Sequence, residues 1–96
     1  MTTYIVFTRL KTKDKASLDK YSEMGGATLA GRSFAAHVVY GKQSVVEGPA
    51  HEGIAIVSFP TRAEAEDWYN SPAYREAREH RFRGADYQVT IVDGLG

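Results

Sequence analysis

The sequence predicts an α+β fold in the order β-α-β-β-α-β, and three observations carry that expectation. Four short segments, residues 4–10, 33–40, 53–59 and 86–92, are rich in the β-branched and aromatic side chains that favour strands. Pro60 ends the third of them and Thr61-x-x-Glu64 follows at once, a capping box that opens a helix. The strand segments also carry apolar residues at both alternating sets of positions, Tyr4/Val6 against Ile5/Phe7 and Ile54/Ile56 against Ala55/Val57. A sheet wetted on one face would alternate apolar with polar instead.

Each element has its own signal. After the first strand, Lys11-Thr12-Lys13 is polar and Asp14 is a suitable helix cap. Leu18, Tyr21, Gly25, Thr28 and Leu29 then recur at helical spacing, which predicts a helix reaching Ala30. Gly25-Gly26 weakens it by roughly 1 kcal/mol per glycine relative to alanine, so a bend or close packing against the sheet is expected there. Gly31 is a plausible left-handed stop. Residues 33–40 and 44–47 read as strands around Gly41-Lys42-Gln43, the second an extra short hairpin strand, with 48–52 as a loop. The helix from Thr61 runs through Tyr69. Asn70-Ser71-Pro72 interrupts it and starts a further short helix, with Ser71 as N-cap and Pro72 in the first turn, where its missing N–H is harmless. Residues 86–92 form the last strand. The result is a single ferredoxin-like domain, residues 1–96, with its helices over one face of a four-stranded antiparallel sheet. The apolar second face calls for a second sheet, most economically that of an identical chain in a two-fold homodimer.

Composition narrows the function classes. The 96 residues leave no room for a second domain. Twelve basic and twelve acidic residues cancel, with no basic stretch to hold nucleic acid or an anionic membrane. Zero cysteines exclude disulfides, thiolate metal sites and cysteine nucleophiles. The start of the chain lacks signal-peptide character and no apolar run approaches the ~20 residues of a membrane span, so a cytoplasmic protein is expected.

The run Phe59-Pro60-Thr61 through Trp68-Tyr69-Asn70-Ser71-Pro72-Ala73-Tyr74, followed by Arg81, resembles the signature of the domain of unknown function 1330 (DUF1330) family. Val46-Glu47-Gly48 and the closing Val92-Asp93-Gly94 are similar to that family as well, while Ser58 stands where an acidic residue often precedes the Phe-Pro pair. The resemblance spans nearly the whole chain and implies a dimeric α+β barrel. It brings no established activity with it.

Candidate site residues follow from spacing. Tyr74, Ala77 and Arg81 share one helical stripe, and a guanidinium beside aromatic rings suits a carboxylate or enolate, with Tyr74 and Ser71 as further donors. Structural pairing of Arg81 with Glu47 or Glu52 is the competing expectation. Trp68 and Tyr69 close an apolar stripe, and Tyr69 could turn its hydroxyl into a cavity. His37 shares a side of its strand with Val39 by alternation and is a candidate general base. His37, His51 and His80 match no metal-binding spacing, and no phosphate loop or nucleophile motif is present, so neither metal nor cofactor is expected. Three functions are consistent with these residues. The first is a homodimer binding a small anionic or aromatic molecule near Tyr69, Ser71, Tyr74, Arg81 and His37. The others are a cofactor-independent oxygenase or isomerase, and a structural dimerisation module.

Overall fold

The computed structural model describes residues 2–95. Its elements are β1 (Thr3–Thr12), α1 (Lys15–Ala27), β2 (Ala35–Val39), β3 (Gly53–Phe59), α2 (Arg62–Tyr69), α3 (Pro72–Gly84) and β4 (Ala85–Asp93). The strands form one antiparallel sheet in the order β2-β3-β1-β4, the ferredoxin-like arrangement expected from the sequence.

Local chemistry sets the boundaries. Asp14 caps α1 by accepting from the Ala16 N–H at 3.2 Å. Thr61 Oγ1 accepts from the Glu64 N–H at 3.2 Å and so starts α2. Ser71 caps α3, accepting from the Tyr74 N–H at 3.3 Å, and Pro72 occupies the first turn. α1 stops at Ala27, short of the expected Ala30, where the N–H groups of Leu29 and Ala30 turn to carbonyls three residues back, at 3.2 Å each, and the Thr28 hydroxyl takes up the Gly25 carbonyl at 2.6 Å.

β1 carries Ile5 and Phe7 toward the helices, opposite Val57 and Ala55 of β3 and Ile91 and Val89 of β4. These residues join Phe59, Ala65, Trp68, Tyr74 and Ala77 in the core. The long helix that packs against α1 is α3, whereas α2 is the short accessory helix between sheet and α3. The α1–α3 contact is close at Gly84, where a Cβ would stand 2.8 Å from Leu18 Cγ and 2.9 Å from the Leu18 backbone nitrogen. The Gly84 carbonyl also accepts from the N–H groups of Lys13 and Asp14 at 2.7 and 3.0 Å, tying the entry of α1 to the end of α3.

The other sheet face bears Tyr4, Val6, Ile54, Ile56, Val92, Ala35 and Val38, together with the polar Thr8, Ser58, Gln88 and Thr90. No helix of the described residues covers it, and its apolar part centres on β1 and β3.

Three expectations require correction. The helix that starts at Ser71-Pro72 is not the short one: α3 has 13 residues and α2 has 8. Residues 44–47 form no strand: β2 already lies at the sheet edge and Tyr40 leaves it in the left-handed region at φ 52°, which diverts the chain into an exposed loop. Strict alternation along β2 also fails, because the register shifts between Ala36 and Val38. His37 is the extra residue of that bulge. It therefore faces the open side of the sheet, while Val39 faces the helices.

Candidate functional site

A cavity of about 270 Å³ lies between the helix layer and the sheet, beside β2. Phe7, Ala36, Val39, Ala55 and Val57 form its floor, and Trp68 and Tyr74 close the inner end. Tyr21, Ser22, Gly25 and Gly26 of α1, with Leu29 just beyond its end, form the roof. A Cβ at Gly25 would stand 3.3 Å from the Tyr21 ring, whereas one at Gly26 would meet nothing within 4 Å. Phe34 and Tyr40 flank the mouth at the exposed β2 edge. A larger, shallower groove of about 420 Å³ runs past Phe34, Ser58 and Pro60 at the end of the sheet, with no titratable side chain in its lining.

The cavity is mostly apolar, and its titratable lining groups are three phenols, Tyr21, Tyr40 and Tyr74. Tyr21 Oη lies 2.7 Å from Tyr74 Oη, and Tyr40 Oη lies 2.7 Å from Tyr87 Oη. Burial pushes the Tyr21 phenol well above its ordinary value, and the neighbouring Tyr74 adds to the effect. Burial raises Tyr74, and burial with the Tyr87 hydrogen bond raises Tyr40. All three are neutral at physiological pH and present hydroxyl protons.

Behind this wall sits Arg81, 2% exposed. Its Nη2 donates to Tyr69 Oη at 3.2 Å, and its Nε has no hydrogen-bond partner among the described residues. The guanidinium carbon lies 5.0 Å from the ring centre of Tyr87, 5.1 Å from Phe82, 5.8 Å from Tyr21 and 5.9 Å from Phe7. Burial works against the charge; Tyr74, Tyr21 and Tyr69, once ionised at high pH, outweigh it and put the group above the usual arginine value, so it stays protonated.

The expected stripe of Tyr74, Ala77 and Arg81 is thus buried as one unit, with 0, 0 and 2% exposure. The expected ion pairs do not form. Among the described residues Arg81 has no carboxylate within ion-pair distance. Glu47 lies in the exposed loop that replaces the hairpin strand. Glu52 is engaged elsewhere, accepting from Arg9 Nε at 3.0 Å and from the Thr12 N–H at 2.9 Å.

Tyr69 contributes its hydroxyl to Arg81, while its ring lies under Arg78 at 4.7 Å. Ser71 is set apart from the cavity: its hydroxyl donates to the Trp68 carbonyl at 2.7 Å while capping α3. His37 is on the opposite side of the sheet, its Nε2 2.7 Å from Ser58 Oγ and its ring 5.5 Å from that of Tyr4. Sequence spacing overlooked Tyr21, Tyr40 and Tyr87. Tyr21 was legible as the residue one turn before Gly25 on the α1 stripe, whereas Tyr40 and Tyr87 meet only through the sheet. No group of three or more potential metal ligands occurs among the described residues, and no helix is long and apolar enough to cross a membrane.

The sequence profile of the domain of unknown function 1330 (DUF1330) matches residues 2–95. The chain belongs to the DUF1330 family. No curated protein matches this member of the family. A protein of unknown function from Rhodopseudomonas palustris has a similar structure, with a TM-score of 0.78 at 17% identity, covering 99% of this chain and 83% of that one. A dabb family protein with a ferredoxin-like fold from Mesorhizobium loti superposes with a TM-score of 0.70 at 10% identity, over 99% and 98% of the two chains. SnoaB, a cofactor-independent oxygenase from Streptomyces nogalater, gives a TM-score of 0.58 at 9% identity, over 99% and 92%. At these identities the likeness is one of fold.

Proposed function

We propose that this DUF1330 protein is a cytoplasmic homodimer that binds a small aromatic or anionic molecule in the cavity between α1 and the sheet. The observation that carries this reading is an apolar chamber, open at the β2 edge, whose titratable lining groups are neutral phenols. Such a chamber suits a planar, largely apolar molecule with one hydrogen-bonding end. The uncovered apolar face, with Tyr4, Val6, Ile54 and Ile56, supports pairing of two sheets.

Binding is favoured over catalysis by the identity of the lining. No carboxylate or histidine lines the chamber, and phenols whose ionisation is suppressed donate hydrogen bonds better than they abstract protons. His37, the candidate base, faces away.

The test uses Trp68, the sole tryptophan, which lines the chamber. Titration with 4-nitroanisole, a neutral planar quencher, is expected to quench its fluorescence saturably with one site per chain. Light scattering on the same sample is expected to give the mass of two chains. Linear, unsaturable quenching counts against the chamber, and the mass of one chain counts against the dimer.

A further inference from the structure

We infer that the inner wall of the chamber is an oxyanion site, taking ligands that carry an acidic hydroxyl, a phenol or an enol, and holding them in the ionised form. The inference rests on the small-molecule reading above and names the ligand class for that same cavity. Tyr21 is the contacting group, backed by the buried Tyr74 hydroxyl, and Arg81 is a positioning residue that acts through them.

The argument begins with charge. Buried cations are ordinarily paired, because removing a charge from water costs several kcal/mol that only an opposite charge restores. Arg81 is 2% exposed and has no carboxylate partner among the described residues. The rings of Phe7, Tyr21, Phe82 and Tyr87 turn π-electron density toward the cation, yet they carry no net charge. The phenols around it are neutral. One positive charge is therefore left uncompensated inside the fold, with an unused N–H at Nε.

Geometry gives the direction in which compensation can come. Tyr21 belongs both to the aromatic surroundings of Arg81 and to the lining of the chamber, and its hydroxyl is bonded to that of Tyr74, so one layer of phenol separates guanidinium from ligand. Their hydroxyls are mutually bonded at 2.7 Å, an arrangement that uses one proton and leaves the other to point at an acceptor. An anion in the chamber accepts that proton in a hydrogen bond and faces the field of Arg81 through a medium of low dielectric constant.

Chemistry selects the anion. A carboxylate or phosphate brings several oxygens that each need a donor, and the chamber wall offers few besides phenols. A phenolate or enolate has one charged oxygen, spreads its charge into a planar apolar framework, and loses less on leaving water. On binding, the ligand's O–H bond breaks, its proton passes to solvent water and the electron pair stays on the oxygen; no other covalent bond changes.

The test follows the ionisation of 4-nitrophenol by its nitrophenolate absorbance, with protein in excess. In the wild type the bound probe is expected to titrate about one pH unit below the free probe, the low end of the range an opposite charge within about 4–6 Å produces, because a layer of phenol lies between. Arg81→Met should abolish that displacement, and Arg81→Lys should restore part of it. A bound probe that titrates at or above its free value overturns the oxyanion site. Should Arg81→Met fail to fold, the wild type still decides: above the probe's own ionisation, 4-nitrophenolate is expected to bind at least ten-fold more tightly than 4-nitroanisole, and equal or weaker binding overturns the inference. Saturable 4-nitroanisole binding without the displacement would leave the chamber standing and sink only the oxyanion assignment, whereas failure of both probes would overturn the chamber as well.

Discussion

The hydroxyl of Tyr21 on α1 lies 2.7 Å from the hydroxyl of Tyr74 on α3, and that single bond joins the two helices over the end of the cavity. The rings meet edge to face at 6.2 Å, so the pair is both a packing contact and a polar one. Tyr21→Phe leaves the fully buried Tyr74 hydroxyl short of a partner and is expected to cost about 1–3 kcal/mol in urea denaturation. The double variant with Tyr74→Phe removes both hydroxyls and should cost less than the sum of the single changes. Strict additivity would mean that the bond contributes nothing beyond burial.

The same phenols set the alkaline limit of stability. Burial raises the folded-state values of Tyr21, Tyr74 and Tyr40 above those of the unfolded chain. Below the unfolded value of about 10 both states hold their protons, and the contribution is fully present. Above it the unfolded chain loses protons that the folded chain retains, so stability falls as pH rises, by up to about 1.4 kcal/mol per pH unit for each phenol. Urea midpoints should be flat from neutral pH to about 9 and drop beyond 10, less steeply in Tyr21→Phe. A midpoint unchanged at pH 11 would contradict the burial of these hydroxyls.

Gly84 permits α1 and α3 to approach. Its added Cβ would meet the Leu18 backbone nitrogen at 2.9 Å, which a side-chain rotation cannot relieve. Gly84→Ala is therefore expected to destabilise by about 1–3 kcal/mol, although alanine is the better helix former elsewhere. A rise in Tm would show that the helices separate without cost.

Ser71 divides capping from binding. Both of its hydrogen bonds are to backbone groups, Trp68 O and Tyr74 N. Ser71→Ala should lower stability by about 1 kcal/mol and leave 4-nitroanisole affinity unchanged. Weakened affinity in a fully folded variant would restore the hydroxyl to the site.

What could be read beforehand was local. The Thr61 cap, the Ser71-Pro72 restart and the stripe of Tyr74, Ala77 and Arg81 depend on residues within a few positions of one another, and the structure has each of them, although the Glu64 carboxylate accepts from the Thr61 hydroxyl and not from a backbone N–H of the described residues. What escaped was set by the sheet. His37 and Val39 were assigned one side by alternation, and the bulge at His37 put Val39 on the other. Glu47 was a reasonable partner for Arg81 only while a hairpin strand held it close, and the left-handed turn at Tyr40 removes that strand. Among the groups around Arg81, Tyr69 and Phe82 are near it in sequence, whereas Phe7, Tyr21 and Tyr87 come from three elements far apart, and no spacing rule links them.

The chamber under α1 is tested most directly by Trp68 quenching with 4-nitroanisole in the wild type and in Gly26→Leu. Gly26 lies in the cavity roof with open space where its side chain would be, and replacing a helical glycine stabilises α1 by about 0.5–1 kcal/mol. The expected result is saturable quenching in the wild type, lost in a variant that is at least as stable. Equal quenching in the two proteins, or none in the wild type, would contradict a ligand chamber at this site.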